Sequence, residues 1–302
     1  ELATASIDWQ SFREVSLSSL LLVVGARAAG SLLFAVQWKV LQDRLAAVSF
    51  PTACRVIVST YYLNYFPFRG PQLMTRAMIA RRHGVPYLSS VASLAVNLLA
   101  RWVIIGVTLL LLGYRLAGNE SYGVLWPVSA VAVFAPVALL LALRSSRRVL
   151  AALSGRLGRM AGPAVRVRNG AQLSDELSRN ITRVFHWRGL LSYAAALAAA
   201  VLLEHWALAA LWSDLGAPIF FVDLMLVFLA GGMAGWFSQL PGGFGVREVV
   251  SAYLVSLTGL DFSLAVAVIL LSRVLVLLVD LSVSSASFLL LRGGPSVPAD
   301  PA

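Results

Sequence analysis

The sequence predicts an all-α integral membrane protein, a polytopic helical bundle interrupted by two broken, re-entrant elements in an inverted repeat. Three observations carry that expectation. Of 302 residues, 59% are hydrophobic and only 13% charged, with a mean hydropathy of +0.81; a soluble domain of this size is far less apolar. Apolar stretches of about 20 residues, enough to cross a core roughly 30 Å thick, recur from end to end. The run Ser238-Gln239-Leu240-Pro241-Gly242-Gly243-Phe244-Gly245-Val246-Arg247-Glu248 sets a helix-breaking turn and two opposite charges between two apolar segments. Backbone N–H and C=O groups must be satisfied internally in hydrocarbon, so such a break persists only where it lines a cavity or is buried in protein.

Windows of about 19 residues place spans near 16–38, 87–112, 122–143, 189–212, 218–239 and 262–291. The pieces 50–68 and 246–260 are too short, or too interrupted by Pro and Gly, to span, and read as re-entrant. One transmembrane domain therefore accounts for 1–302. It comprises a first half of about 16–143, a basic amphipathic linker of about 144–188, a second half of about 189–291 and a short disordered tail at 292–302. The chain opens on Glu1 instead of Met, so its start reads as a processing boundary, with no signal peptide before the first span.

Basic residues near span ends stay on the cytoplasmic side. Ten arginines lie between Arg144 and Arg188, against Asp175 and Glu176, and four between Arg69 and Arg82 with no acid. Both segments are expected inside the cytoplasmic (inner) membrane's cytoplasmic face. The N-terminal stretch with Glu1, Asp8, Arg13 and Glu14, and the turns at Glu120, Asp214 and Asp261, are expected outside. Consistency then requires 50–68 to enter and leave on the cytoplasmic side, while the break at Pro241 inserts from outside. Within the linker, Val149, Leu153, Leu157 and Met160 share a face among arginines, as in a basic interfacial helix. A second linker helix is expected to start at Ser174 as N-cap, with Asp175 and Glu176 at its positive end and Leu177, Ile181, Val184 and Phe185 as its apolar stripe.

Several function classes drop out. The lone Cys54 has no disulfide partner, and His83, His186 and His205 show no metal-ligand spacing. Phosphate-cradling, zinc-protease and nucleophile-elbow motifs are missing from the sequence. No cofactor, metal, nucleic acid or catalytic centre is expected.

The net charge of +10 comes from 23 arginines and the single Lys39. Arg27, Arg101 and Arg273 fall inside the predicted spans, with Glu204, His205, Asp223 and Asp280. Ionisable residues at such depth are costly unless paired or facing water, which makes them functional candidates. Arg273 and Asp280 are two helical turns apart, on one face, too far apart to pair directly. Glu204 is the expected counter-charge for Arg273 or Arg101; interhelical ties with no substrate role would place the same residues there. Gly231-x-x-x-Gly235 reads as close helix packing.

Tyr61-Tyr62-Leu63-Asn64-Tyr65-Phe66-Pro67-Phe68-Arg69-Gly70 parallels the second break: an amide side chain, then Pro, then Arg close to Gly, then a new helix carrying Arg76. Opposite insertion of two such breaks is the pattern of an inverted repeat with a substrate site between broken helices. Free N–H groups at a helix start favour an anion, and glycines let a phosphate approach the backbone. Asn64, Arg69, Arg76, Gln239, Gly242, Gly243, Gly245, Arg247 and Glu248 are thus the candidate substrate-binding set. The arginines would grip phosphate, and Glu248 would stabilise its helix start or hold Arg247. Arg and Glu locking the turn is the bland alternative.

Pro241-Gly242-Gly243-Phe244-Gly245-Val246-Arg247-Glu248 resembles the signature of the flippase-like family named for the transmembrane region of lysylphosphatidylglycerol synthase, and Asn64 to Arg82 is similar to that family's other motif. The resemblance spans roughly 16–291. Where the family usually carries an acid after the glycine of the first motif, this chain has Pro71-Gln72. After Leu291 this sequence has only a short Pro-rich tail and no synthetase domain, so the resemblance implies either a stand-alone member acting on another lipid or a piece of a longer chain. It further implies a flippase or scramblase for a lipid with an anionic, phosphate-containing head group, such as a phospholipid, aminoacylated phosphatidylglycerol or polyprenyl phosphate lipid. Anionic membrane lipids are then its partners, with a homo-oligomer or an association with a lipid-synthesising enzyme compatible. The alternatives are a non-transporting partner of a lipid-modifying enzyme, or a membrane glycosyltransferase or phosphatase.

Overall fold

The computed structural model describes residues 15–65, 69–115, 170–184, 187–238 and 240–290, together with positions 130, 134 and 138. The expected span at 122–143 (those three positions aside), the Val149–Met160 helix, Phe185, Gln239 and the tail lie outside the described residues.

Every regular element among the described residues is helical. Helix α1 (Leu17–Gln42) starts at Ser16, whose hydroxyl accepts from the Ser19 N–H and so satisfies one of the free donors of the first turn. Helix α2 (Phe50–Ile57) is capped in the same way by Ser49, with Pro51 in its first turn, where no N–H is needed. A short 3₁₀ turn (Tyr61–Tyr65) separates α2 from α3 (Arg69–Arg82), and α4 (Tyr87–Arg115) follows. Helix α5 (Gly170–Val184) buries Leu177, Ile181 and Val184 in the same core as α4. It starts upstream of the expected cap at Ser174. Ala171, Gln172 and Leu173 are good helix formers, so the helix propagates through them and Ser174 falls inside it.

The remaining elements are α6 (Trp187–Asp214), α7 (Phe221–Phe237), a 3₁₀ turn (Pro241–Gly243), α8 (Val246–Ser256) and α9 (Phe262–Leu290). Helices α1, α4, α6 and α9 are long and apolar enough to cross a membrane. Helix α7, with 17 residues, reaches only about 25 Å, short of a typical hydrocarbon core. The protein is a membrane-embedded helical bundle, and the apolar side chains left exposed along α1, α6 and α9, such as Leu21, Leu191, Leu202, Leu270 and Leu278, are its lipid-facing surface.

Helices α1 and α6 run antiparallel along their length. At one end the Ser16 N–H and hydroxyl both donate to Asp214 Oδ2; at the other, Gly189 lies against Arg44. Two cores flank this pair. One gathers Trp38, Leu41, Val56 and Leu94 from α1, α2 and α4. The other gathers Trp212, Leu224, Val227, Leu254 and Ile269 from α6 to α9. The broken segments meet between the cores: the Tyr65 and Phe244 rings lie 6.3 Å apart, and Tyr65 packs on the face of Gly242, where a Cβ would approach its ring to 3.0 Å.

Candidate functional site: a charged cavity at mid-depth

Arg27 lies ten residues from the start of α1, while Glu204 and Asp280 lie ten from the ends of α6 and α9. At 1.5 Å per residue each is about 15 Å from a helix end, near the middle of a hydrocarbon core. Charges at that depth must be paired or must face a polar cavity, and these do both.

Arg27 is the hub. Its Nε donates to Asp280 Oδ1 at 2.7 Å and its Nη2 to Asp280 Oδ2 at 2.9 Å, a two-pronged grip, while Nη1 reaches Glu204 Oε1 at 2.9 Å. Tyr65 from the first break donates to the same Asp280 Oδ2 at 2.6 Å. Glu204 fits beside α1 only because Gly30 has no side chain: a Cβ there would strike its carboxylate. This tight seam explains why Glu204 pairs with Arg27 instead of Arg273 or Arg101, as the sequence suggested. The Arg27 guanidinium also sits 5.1 Å from the Tyr61 ring centre.

A second pair fastens the second break. Arg273 Nε donates to Glu248 Oε1 at 2.7 Å, and its Nη2 to the Gly242 carbonyl at 2.9 Å. The other Glu248 oxygen accepts from the Gly245 N–H at 2.7 Å, at the start of α8. Glu248 therefore secures its own helix start and Arg273, and does not hold Arg247. Three residues of the turn take positive φ, Gly242 (62°), Gly243 (72°) and Gly245 (83°), a region costly for any residue with a Cβ. Gly243 also abuts Gly235 of α7, where an added Cβ would lie 2.7 Å from backbone.

Between the pairs lies a cavity of about 250 Å³, lined by both breaks and by α1, α4, α6, α7, α8 and α9. Four arginines line it, Arg27, Arg101, Arg247 and Arg273, against the three carboxylates that hold two of them, Glu204, Asp280 and Glu248. Among the described residues neither Arg101 nor Arg247 forms an ion pair or a hydrogen bond. Arg101 rests over the Phe34 ring, 4.3 Å from its centre. Arg247 has its Cβ against Gly235 and borders both this cavity and a smaller one of about 80 Å³ beside Ser272. The site is a partly enclosed, net-positive chamber in which one guanidinium, at the start of a helix, forms no ion pair among the described residues.

The other expected residues are distributed as follows. Asn64 lines the cavity and accepts from Gln72. Arg76 is buried, donates from Nε to Thr60 Oγ1 at 2.9 Å, and borders a side cavity of about 70 Å³ instead of the main one. Arg69 begins α3, with its side chain outside the described set. Asp223 sits half-buried in the first turn of α7, away from the cavity lining. His205 lines the cavity with Nδ1 2.7 Å from the Val201 carbonyl. Tyr61 and Tyr65 carry no role expected from sequence; the tyrosine repeat inside the first break is the signal that marks them. Trp102 and Trp236 were also missed, their rings packed 3.7 Å apart beside the cavity. They carried no signal beyond lying one and five residues from Arg101 and Pro241.

No curated protein and no solved structure matches the chain. Residues 4–283, which include every part of the charged chamber, match the family described as the lysylphosphatidylglycerol synthase TM region; the chain belongs to this family, and with it to a membrane role related to lipids.

Proposed function

We propose that the protein translocates a lipid with an anionic, phosphate-containing head group across the cytoplasmic membrane, as a flippase or scramblase. One observation carries the reading: Arg247, a half-buried guanidinium that forms no ion pair among the described residues, lines a mid-depth cavity between two helix breaks. An unpaired cation in low dielectric is expensive, and a phosphate that enters the chamber compensates it. Arg101 supplies a second charge from α4, and the start of α8 adds the partial positive charge of its free N–H groups. The two carboxylate-held arginines shape the site without competing for the ligand.

Transport would follow from rocking of the two halves about this chamber, with the breaks as re-entrant elements of an inverted repeat. The basic 144–188 linker would lie on the cytoplasmic face, where anionic head groups are enriched. The test is reconstitution in proteoliposomes carrying a fluorescent phosphatidylglycerol, with accessibility to an external quencher followed over time. Arg247→Gln is expected to reduce transfer at least about tenfold, which corresponds to about 1.4 kcal/mol, and Arg101→Gln to reduce it less. Transfer at the wild-type rate in Arg247→Gln would overturn the reading.

A further inference from the structure

The cavity is two-faced. Arg27, Glu204, Arg247 and Asp280 line it from α1, α6, α8 and α9, whereas α4 and α7 line it with a wall of a different kind. Leu98, Arg101, Trp102 and Ile105 form one helical stripe on α4; Leu229, Gly232, Met233 and Trp236 form the matching stripe on α7. Apart from Arg101 that wall is hydrocarbon and aromatic. A small soluble anion gains nothing from it, and a hydrocarbon chain does.

Gly232 sharpens the point. Its neighbour Gly231 is pressed against Ser251 and the Arg247 carbonyl, and Gly235 against Arg247 and Gly243, so packing against α8 explains both. Gly232 is turned away from α8, and a Cβ placed on it meets nothing within 4 Å. A mid-helix glycine is destabilising relative to alanine, and packing gives no reason for this one. Gly232 lies eleven residues into α7, about 16 Å along its axis, level with the charged cluster.

We infer that the α4–α7 seam is a hydrocarbon slot, in which the chain of the transported amphiphile lies while its anionic head is held at Arg247, and that Gly232 keeps the slot open. The inference rests on the anionic-lipid reading above and adds the route of the tail. Gly232→Phe fills the slot from an uncharged position, where a Cβ meets nothing within 4 Å. Because the site is open, the variant is expected to unfold no earlier than the wild type.

The experiment compares wild type, Gly232→Phe and Arg247→Gln in two assays: proteoliposome transfer of dioleoyl phosphatidylglycerol, and thermal stabilisation by inorganic phosphate. Gly232→Phe is expected to lose transfer at least tenfold while phosphate stabilises it as it does the wild type; Arg247→Gln is expected to lose both. Wild-type transfer by Gly232→Phe overturns the slot and leaves the head-group site standing. Undiminished phosphate stabilisation of Arg247→Gln overturns the head-group site instead. Should Gly232→Phe unfold early, Gly232→Leu and Met233→Trp narrow the same seam, and wild-type transfer by both is likewise fatal to the slot.

Discussion

Arg273 of α9 holds Glu248 of α8 at 2.7 Å, and this pairing leaves Arg247, one residue earlier in the chain, without an ion pair among the described residues. The carboxylate adjacent in sequence is already committed twice, to Arg273 and to the Gly245 N–H. A lone Arg-Glu dipeptide reads as a local ion pair; the fold splits it, using Glu248 as a fastener and presenting Arg247 to the cavity. Removing Glu248 should therefore damage the fold, and removing Arg247 should spare it.

Arg27 neutralises two carboxylates, and the asymmetry is testable. Arg27→Met strands both Glu204 and Asp280 in low dielectric, whereas Asp280→Asn leaves Glu204 as the guanidinium's partner. Breaking a buried pair costs about 3–5 kcal/mol, so Arg27→Met should lose at least that much and Asp280→Asn distinctly less. Denaturant unfolding in detergent measures both, and the reverse order would contradict the assignment of Arg27 as the hub.

Adjacent glycines on α7 should respond with opposite signs. Gly231→Ala drives a Cβ into Ser251 and close to the Arg247 carbonyl, and overpacking of this kind costs about 1–3 kcal/mol. Gly232→Ala meets open space and should stabilise by about 0.5–1 kcal/mol through helix propensity. Paired thermal melts decide the matter.

The turn glycines make a graded series. Gly245→Ala is opposed by its strained backbone conformation alone, since nothing lies near its Cβ, a cost of about 1–3 kcal/mol. Gly243→Ala meets a positive φ as well and also places a Cβ 2.7 Å from the Gly235 backbone, so it should be the worse variant and should loosen α7 from the turn. Expression yield and unfolding midpoint report the ranking; equal effects would argue against the close approach.

Tyr65 joins the first break to the hub. Tyr65→Phe removes its hydroxyl from Asp280 while keeping the ring on Gly242 and Phe244, and loss of a hydrogen bond to a charged group costs about 1.5–3 kcal/mol. Tyr65→Ala should cost more, because the contact between the two breaks goes with it. Unfolding midpoints that do not separate the two substitutions would count against that contact.

The membrane class, four of the long helices and both breaks were legible in the sequence, because hydropathy and Pro-Gly chemistry act locally. The partners of the buried charges were not. Glu204 meets Arg27 because Gly30 opens a seam 174 residues away in sequence, and Glu248 meets Arg273 across 25 residues; no spacing rule encodes such long-range contacts. The start of α5 was missed for a different reason: Ser174 has the chemistry of a cap, but the helix formers ahead of it extend the helix to Gly170. Gly231 and Gly235 could be read as packing residues from their four-residue spacing. Gly232, between them, could be understood only once α8 was seen to occupy the other face.

The central claim, that Arg247 receives the phosphate of a lipid, is tested most directly by native mass spectrometry of the purified protein with equal amounts of phosphatidylglycerol and phosphatidylcholine. The wild type should retain the anionic lipid preferentially, and Arg247→Gln should lose that preference by at least about tenfold, or about 1.4 kcal/mol, while unfolding at the wild-type temperature. A preference that survives Arg247→Gln unchanged would contradict the account.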